Sequence, residues 1–121
     1  MGVTLQPSDY VHLHNHTHHS LLDGMTKVPD LVRIVKDMGM DAVAITDHGT
    51  MSGAIELYKS ARDAEIKPII GIETYVAARS RHDRDPQKDK ARYHLILLAM
   101  NHTGYQNLMQ LSSIANLEGM Y

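Results

Sequence analysis

The segment Asp41-Ala42-Val43-Ala44-Ile45-Thr46-Asp47-His48-Gly49 (DAVAITDHG) decides the fold class of this sequence. Its apolar run is short and continuous rather than alternating, which is typical of a strand buried on both faces of a parallel sheet. The polar residues at its end predict a loop. Because reactive groups in α/β proteins lie at the carboxyl ends of parallel strands, we expect this loop to belong to a functional site.

Helical patterns flank this strand on both sides. From Val28 to Met38, apolar residues repeat at helical spacing, with Pro29 in the first turn and Gly39 as a stop. A second helix is predicted over 52–64. The apolar residues expected to share its inner face are Ala54, Ile55, Tyr58 and Ala61.

Three further segments are predicted to be strands. Residues 10–16 alternate, which places the three histidines of that segment on one face. Residues 67–77 predict one or two strands broken near Gly71, and residues 93–100 form another apolar strand. Helices and strands therefore alternate along the chain. This order predicts an α/β fold of parallel βα units, either a barrel or an open sheet.

The remaining segments predict a loop and a last helix. Residues 79–92 are rich in charge, contain a proline and lack large apolar side chains, so we expect a mobile surface loop without a binding function. Thr103 is the expected N-cap of a helix that runs through Leu117 and stops at Gly119.

Composition excludes several classes of function. The 121 residues are enough for one domain, and a hydrophobic content of 43% with 21% charged residues is ordinary for a globular protein. Without cysteine, a transition metal must be bound by histidine and carboxylates. The net charge of −2 gives no general attraction to DNA. We expect a cytoplasmic protein, because no apolar segment approaches the ~20 residues that span a bilayer.

Histidines and acids fall where the predicted strands end. The candidate metal ligands and catalytic residues are His14, His16, Asp23, His48, Glu73 and His94. Carboxylates offset the charge of a cluster of divalent ions, and such clusters suit phosphate-ester hydrolysis. We expect His12 to lie behind the ligands and assign no function to His18, His19, His82 and His102. Asp47 either orients His48 or caps a turn.

Four segments together resemble a known family. They are HLHNHTHHSLLDG (12–24), AITDHGTMSGAIELY (44–58), KPIIGIETYVA (67–77) and YHLILLAMNHTGYQNLMQLSSIANLEG (93–119). In this order they resemble the polymerase and histidinol phosphatase (PHP) domain of bacterial DNA polymerase III alpha subunits. The last segment is more similar to the polymerase branch than to the stand-alone phosphatases.

The resemblance implies a distorted (β/α)7 TIM-like barrel, of which residues 1–121 would be the N-terminal part. It implies up to three ions of zinc, manganese or iron, held by the six candidate ligands: His14 and His16 from the first motif, Asp23 as the acid after it, His48, Glu73 and His94. His18 and His19 stand where the family often has an acidic and an aromatic residue. Further ligands of the family would lie in the absent part of the barrel.

The resemblance also implies partners and activities. We expect a metal-dependent phosphoesterase, with 3′–5′ exonuclease proofreading or pyrophosphatase activity in the complete barrel, that meets DNA and other replicative subunits through the full-length polymerase. The alternatives are a non-catalytic scaffold of the polymerase and a stand-alone phosphatase acting on a small phosphomonoester. As an isolated chain, we expect it to self-associate through open strand edges and apolar surface.

Overall fold

A computed structural model describes residues 2–119 as a mixed sheet with helices packed against it. The sheet order is β1-β2-β3. The elements are α1 (Val28–Asp37), β1 (Ala42–Ile45), α2 (Ala54–Asp63), β2 (Lys67–Ala77), β3 (Arg92–Leu98) and α3 (His102–Ile114), with a 3-10 turn at Pro7–Asp9 and a π-helical turn at Ala115–Gly119. Within residues 2–119, no helix is both long and apolar enough to cross a membrane.

The core lies between β1 and the two helices that flank it in sequence. All four residues of β1 are buried, as expected for the segment DAVAITDHG. The side chains that form the core are Val28, Val32, Val35, Val43, Ile45, Leu57, Ala61 and Ile66. The prediction for α1 is confirmed: the helix ends at Asp37, and Gly39 follows with a φ of +78°, which glycine adopts without strain.

The inner face of α2 differs from the predicted one. The helix buries Ala54, Leu57 and Ala61, whereas Ile55 and Tyr58 are exposed. The prediction of the latter two as core residues was therefore wrong. The buried residues are spaced three and four positions apart and so form one stripe along the helix. The side chains of Ile55 and Tyr58 lie beside this stripe. There the Tyr58 hydroxyl accepts a hydrogen bond of 2.8 Å from Arg62.

The sheet is mixed: the predicted parallel pairing is confirmed for β1 and β2, whereas its extension to β3 was wrong. β1 pairs in parallel with the first part of β2, from Ala42↔Lys67 to Ile45↔Ile70. β3 pairs antiparallel with the second part, from Gly71↔Leu98 to Ala77↔Arg92. A parallel crossover usually needs a helix, and the polar segment 78–91 has no apolar face to supply one, so the chain returns directly as a hairpin. The described strands form an open sheet.

β2 is one continuous strand, and its partners change at Gly71. A Cβ at this position would lie 2.6 Å from the backbone oxygen of Leu97. Only glycine permits so close an approach of the neighbouring backbone. The expected break near Gly71 is thus a change of partner within an unbroken strand.

The segment predicted as the first strand, 10–16, is extended but forms no strand element. It meets β1 through a single parallel bridge between His12 and Val43. Ala44 N–H donates to the carbonyl of His12, and Thr46 N–H donates to the carbonyl of Asn15. The Asn15 side-chain amide donates to the carbonyls of His12 and Ala44. The Asn15 side chain therefore replaces part of the regular backbone hydrogen bonding between strands. The alternation of residue types alone does not reveal this replacement.

The last helix begins earlier than predicted. Asn101, not Thr103, is the N-cap, because its side-chain oxygen accepts a 2.9 Å hydrogen bond from Gly104 N–H. Asparagine is at least as good an N-cap as threonine, and it comes first along the chain. The α-helix ends at Ile114, and the π-helical turn takes the chain to Gly119.

The charged loop 79–92 contains an ion pair with two hydrogen bonds. The Arg79 guanidinium donates two hydrogen bonds, of 2.7 and 2.6 Å, to the Asp89 carboxylate. These bonds, more than the charges nearby, hold the pKa of Asp89 below its usual value. The mobility of 79–92 stays a prediction.

Candidate metal centre

The six predicted site residues lie together at one edge of the sheet, as the position of the strand ends led us to expect. They come from five parts of the fold: His14 and His16 from the extended segment beside β1, Asp23 from the turn after it, His48 from the loop that follows β1, Glu73 from β2 and His94 from β3. The mixed sheet still brings them together, because the His94 Cα is the register partner of Tyr75, two residues from Glu73.

Glu73 is the centre of this group. Its Oε2 lies 2.7 Å from His14 Nε2 and 2.6 Å from His16 Nε2. Its Oε1 lies 2.8 Å from His94 Nδ1. The residue is only 5% exposed. One buried carboxylate thus uses both oxygens to contact three imidazoles.

The environment of Glu73 favours its charged form. Burial raises the pKa of a carboxyl group, but hydrogen bonds from His14, His16 and His94 outweigh that effect and lower the pKa of Glu73 from 4.5 to about 2. A carboxylate that stays ionised at neutral pH is a suitable ligand for a divalent cation.

Asp23 forms a second, more open acidic contact. Its Oδ2 lies 3.0 Å from His16 Nδ1 and 3.1 Å from His48 Nδ1. The Ser20 hydroxyl donates a short hydrogen bond to Oδ1. Hydrogen bonds from Ser20 and then His48 lower the pKa of Asp23, and its carboxylate is ionised at neutral pH. His16 therefore has a carboxylate on each side of its ring.

Two observations fit bound cations in this cluster. A neutral imidazole carries one N–H, so His16 cannot donate to Glu73 and Asp23 at once, and a proton or a metal ion must compensate one of the two contacts. His48 Nε2 is buried and lacks a hydrogen-bond partner anywhere in the described chain. Ligand atoms of His14, His16 and Glu73, and likewise of His48, Glu73 and His94, lie within 4.8 Å of one another.

Asp47 connects the segment that carries His14 and His16 to the loop that carries His48. Its buried carboxylate accepts hydrogen bonds from Thr17 N–H (2.6 Å) and from the Thr17 hydroxyl (2.8 Å). Asp47 thus ties the first motif to the second. This role differs from both expected roles, orientation of His48 and a turn cap, because its bonding partner comes from a distant segment that the local sequence does not indicate.

Tyr75 and Arg92 are residues of this site that the sequence reasoning missed. The Tyr75 ring lies 4.5 Å from the His48 ring and 5.0 Å from the His94 ring, between centroids. The Arg92 guanidinium lies 5.4 Å from the centre of the Tyr75 ring. Strand periodicity could have identified both, since Tyr75 follows Glu73 by two residues and Arg92 precedes His94 by two.

The other histidines lie away from Glu73. The His12 ring is 4.9 Å from Tyr10, and His102 is 6.3 Å from Tyr105. His82 Nε2 lies 3.9 Å from Glu118. His18 and His19 were expected to have no specific contacts, but both rings approach Glu56 on α2.

Comparison with known sequences gives one family and closely similar relatives. A family model described as PHP domain matches residues 12–121. The DNA polymerase III alpha subunit of Thermus aquaticus is 53% identical over 116 residues, which cover 93% of this chain and 10% of the relative. That of Borreliella burgdorferi is 50% identical over 115 residues, or 94% of this chain and 10% of the relative. The chain therefore spans about a tenth of the length of the curated relatives it matches.

Two solved structures share the fold at low sequence identity. An amidohydrolase from Chromobacterium violaceum, with bound sulfate and no metal, has a TM-score of 0.58 at 20% identity and covers 86% of this chain and 34% of its own. A candidate metal-dependent phosphoesterase from Bifidobacterium adolescentis has a TM-score of 0.52 at 19% identity, over 83% of this chain and 31% of its own. At such identities the likeness concerns the fold alone.

Proposed function

Since this chain belongs to the PHP domain family, as the resemblance in its sequence led us to expect, we propose that it is the N-terminal part of the PHP domain of a replicative DNA polymerase and contributes to a metal-dependent phosphoesterase site. We further propose that the natural protein continues into the remaining part of a (β/α)7 barrel. The similarity to DNA polymerase III alpha subunits supports both proposals.

The observation that carries the phosphoesterase proposal is the shared carboxylate of Glu73. Oε2 lies against His14 and His16 while Oε1 lies against His94. A carboxylate with both oxygens engaged in this way is suited to bridge two divalent ions.

Each of the six residues has a role in this proposal. His14, His16 and Glu73 would hold one ion, and Glu73 with His94 a second. Asp23 and His48 complete the cluster: their Oδ2 and Nδ1 atoms are 3.1 Å apart, close to the ~3.4 Å between neighbouring ligands of an ion bound at ~2.1 Å. Zinc, manganese or iron would suit these ligands, and when bound they supply an activated water and stabilise the leaving oxygen of a phosphate ester.

The proposed substrate is a DNA 3′ end, with pyrophosphate as the second candidate. The proposed partners are DNA and the other subunits of a cytoplasmic replicative polymerase, to which the similarity with alpha subunits points. The net charge of −2 supplies no general attraction to DNA, so we expect the rest of the polymerase to deliver the substrate.

The test compares three substrates on the whole 121-residue chain. Hydrolysis of single-stranded DNA from its 3′ end, of pyrophosphate and of a simple phosphomonoester is measured with manganese, with zinc and with a chelator. We expect metal-dependent hydrolysis of DNA or pyrophosphate that falls at least about 100-fold in Glu73→Gln, beyond the ~10–100-fold cost of losing an outer-shell partner. Glu65→Gln changes a glutamate whose side chain is 89% exposed and which is not one of the six site residues, so it is the matched control.

The pattern of activities decides between the candidate functions. Hydrolysis of the phosphomonoester alone would favour a stand-alone phosphatase. If the chain binds metal through these residues and none of the substrates is hydrolysed, the scaffold alternative replaces the phosphoesterase proposal.

A further inference from the structure

We propose that His18, His19 and Glu56 form a second metal site that binds zinc or a similar divalent transition metal. This site is distinct from the six candidate ligands around Glu73, called the Glu73 cluster below. The two imidazoles and the carboxylate converge where the turn after the first histidine motif meets α2.

The three side chains already have a geometry close to that of a metal site. His19 Nε2 lies 2.7 Å and His18 Nε2 lies 4.0 Å from Glu56 Oε2. The ligand atoms of all three residues lie within 4.8 Å of one another. Neighbouring ligands of a tetrahedral ion are ~3.4 Å apart for bonds of ~2.1 Å, so small rotations of the side chains suffice.

The backbone holds the two adjacent histidines in place. Thr17 is fully buried and fastened to Asp47 by its N–H and its hydroxyl. His18 N–H donates to the carbonyl of Thr26 (2.9 Å), and His19 N–H donates to the Thr17 hydroxyl (3.3 Å). The two rings consequently lie 4.2 Å apart, between centroids, before any ion is bound. Preorganisation of this kind lowers the entropic cost of binding.

Gly53 allows the His19 ring to approach the start of α2. A Cβ on this residue would lie 3.0 Å from His19 Cδ2. With glycine there, the ring lies against the first turn of the helix, where Glu56 projects toward it.

The proposed site is separate from the Glu73 cluster. His16 contacts Glu73 and Asp23, whereas His18 and His19 contact Glu56. The side chains of His18, His19 and Glu56 are 40%, 25% and 38% exposed, which leaves a coordination position open to solvent. Two imidazoles and one carboxylate with an open position are a common ligand set for zinc. A bound ion would fasten the turn that leads to Asp23 onto α2.

The test titrates zinc alone into the full chain with the Glu73 cluster removed. In the His16→Ala/Glu73→Gln background, which takes the shared Glu73 carboxylate away from both of its ligand groups, we expect one zinc per chain, measured by calorimetry and by elemental analysis after dialysis. Adding His19→Ala or Glu56→Gln should weaken this binding at least about tenfold, because even the loss of an outer-shell partner costs a metal site ~10–100-fold in affinity. The matched controls, His102→Ala and Glu65→Gln, change a histidine and a glutamate outside both clusters and should leave it unchanged.

If the double variant fails to fold, NMR spectroscopy of the unaltered chain tests the same proposal. Long-range ¹H–¹⁵N spectra of the unaltered chain follow each histidine ring as zinc is added. We expect the ring nitrogens of His18 and His19 to shift to metal-bound values, and Glu56→Gln to suppress that shift while the rings of His14 and His16 respond as before. Zinc binding equal to that of the controls in His19→Ala and Glu56→Gln, or unshifted His18 and His19 rings at saturating zinc, would overturn the proposal.

Discussion

Glu73 keeps its charge in the interior because three imidazoles approach it. The residue is only 5% exposed, yet the hydrogen bonds from His14, His16 and His94 lower its pKa to about 2. A group whose pKa is lower in the folded than in the unfolded state stabilises the fold above its unfolded pKa and loses that contribution as the pH falls. The charge of Glu73 is therefore coupled to the stability of the chain.

We predict that metal-free protein loses stability between about pH 4.5 and pH 2 through this residue. Over that range the unfolded state binds a proton at Glu73 before the folded state does, so the free energy of unfolding decreases. At ~1.4 kcal/mol per pKa unit, the loss reaches up to about 3 kcal/mol. Urea unfolding in chelator across this range measures it, and Glu73→Gln should flatten the curve.

Glu65→Gln is the control for this experiment, because the side chain of Glu65 is exposed. It should retain the slope of the unaltered chain. If the free energy of unfolding of Glu73→Gln fell with pH as steeply as that of the unaltered chain, the effect could not be assigned to Glu73.

Residue types and strand ends were enough to predict the six members of the cluster, since histidines and acids are conspicuous at those positions. Contacts made by distant segments were harder to predict. Asp47 is bound to Thr17, and His19 meets Glu56 on α2. Both contacts depend on how the turn 17–20 packs, which the local sequence does not indicate.

At the level of elements, apolar periodicity predicted the positions of α1, β1 and α2 but not the direction of β3. The segment 78–91 is long enough for a crossover, but it has no apolar face for a crossover helix, and β2 and β3 pair as a hairpin. Similarly, the inner stripe of α2 includes Leu57, which competes with Ile55 and Tyr58 for the core. Periodicity locates a helix more reliably than it selects between adjacent stripes.

The start of α3 gives a prediction at this scale. Asn101→Ala removes the side-chain oxygen that accepts from Gly104 N–H, and we expect it to lower the free energy of unfolding by about 1 kcal/mol. Urea denaturation followed by circular dichroism measures the change. Thr103→Ala, at the position expected from sequence to be the cap, should change stability by less than about 0.5 kcal/mol. A larger loss of stability in Thr103→Ala than in Asn101→Ala would instead identify Thr103 as the cap.

For the whole molecule, the described residues leave apolar surface and a strand edge uncovered. Leu21, Leu22 and Met25 are almost fully exposed in the turn that leads to Asp23 and on to α1. Within residues 2–119, β3 pairs with β2 on one edge, and no named strand pairs with its other edge. Both features favour association with another copy or with another polypeptide.

We predict that the 121-residue chain self-associates at micromolar concentrations. Size-exclusion chromatography with light scattering should give a mass above that of one chain and decreasing on dilution. Leu22→Lys should shift the equilibrium toward the monomer, whereas Val3→Lys, at another highly exposed position, should not. A monodisperse monomer at all concentrations would contradict this prediction.

The distances along the chain between the residues of the Glu73 cluster have a consequence for folding. His14 and His16 meet Glu73 across separations of 59 and 57 residues, and His94 meets it across 21. Long-range contacts form only after much of the chain entropy has been lost, so the complete cluster exists only once β2 has joined its neighbours. A cation that needs all of these ligands binds the native chain and not the unfolded one. Its uptake would then report the last stage of folding, and its loss would release the carboxylate and its histidines together.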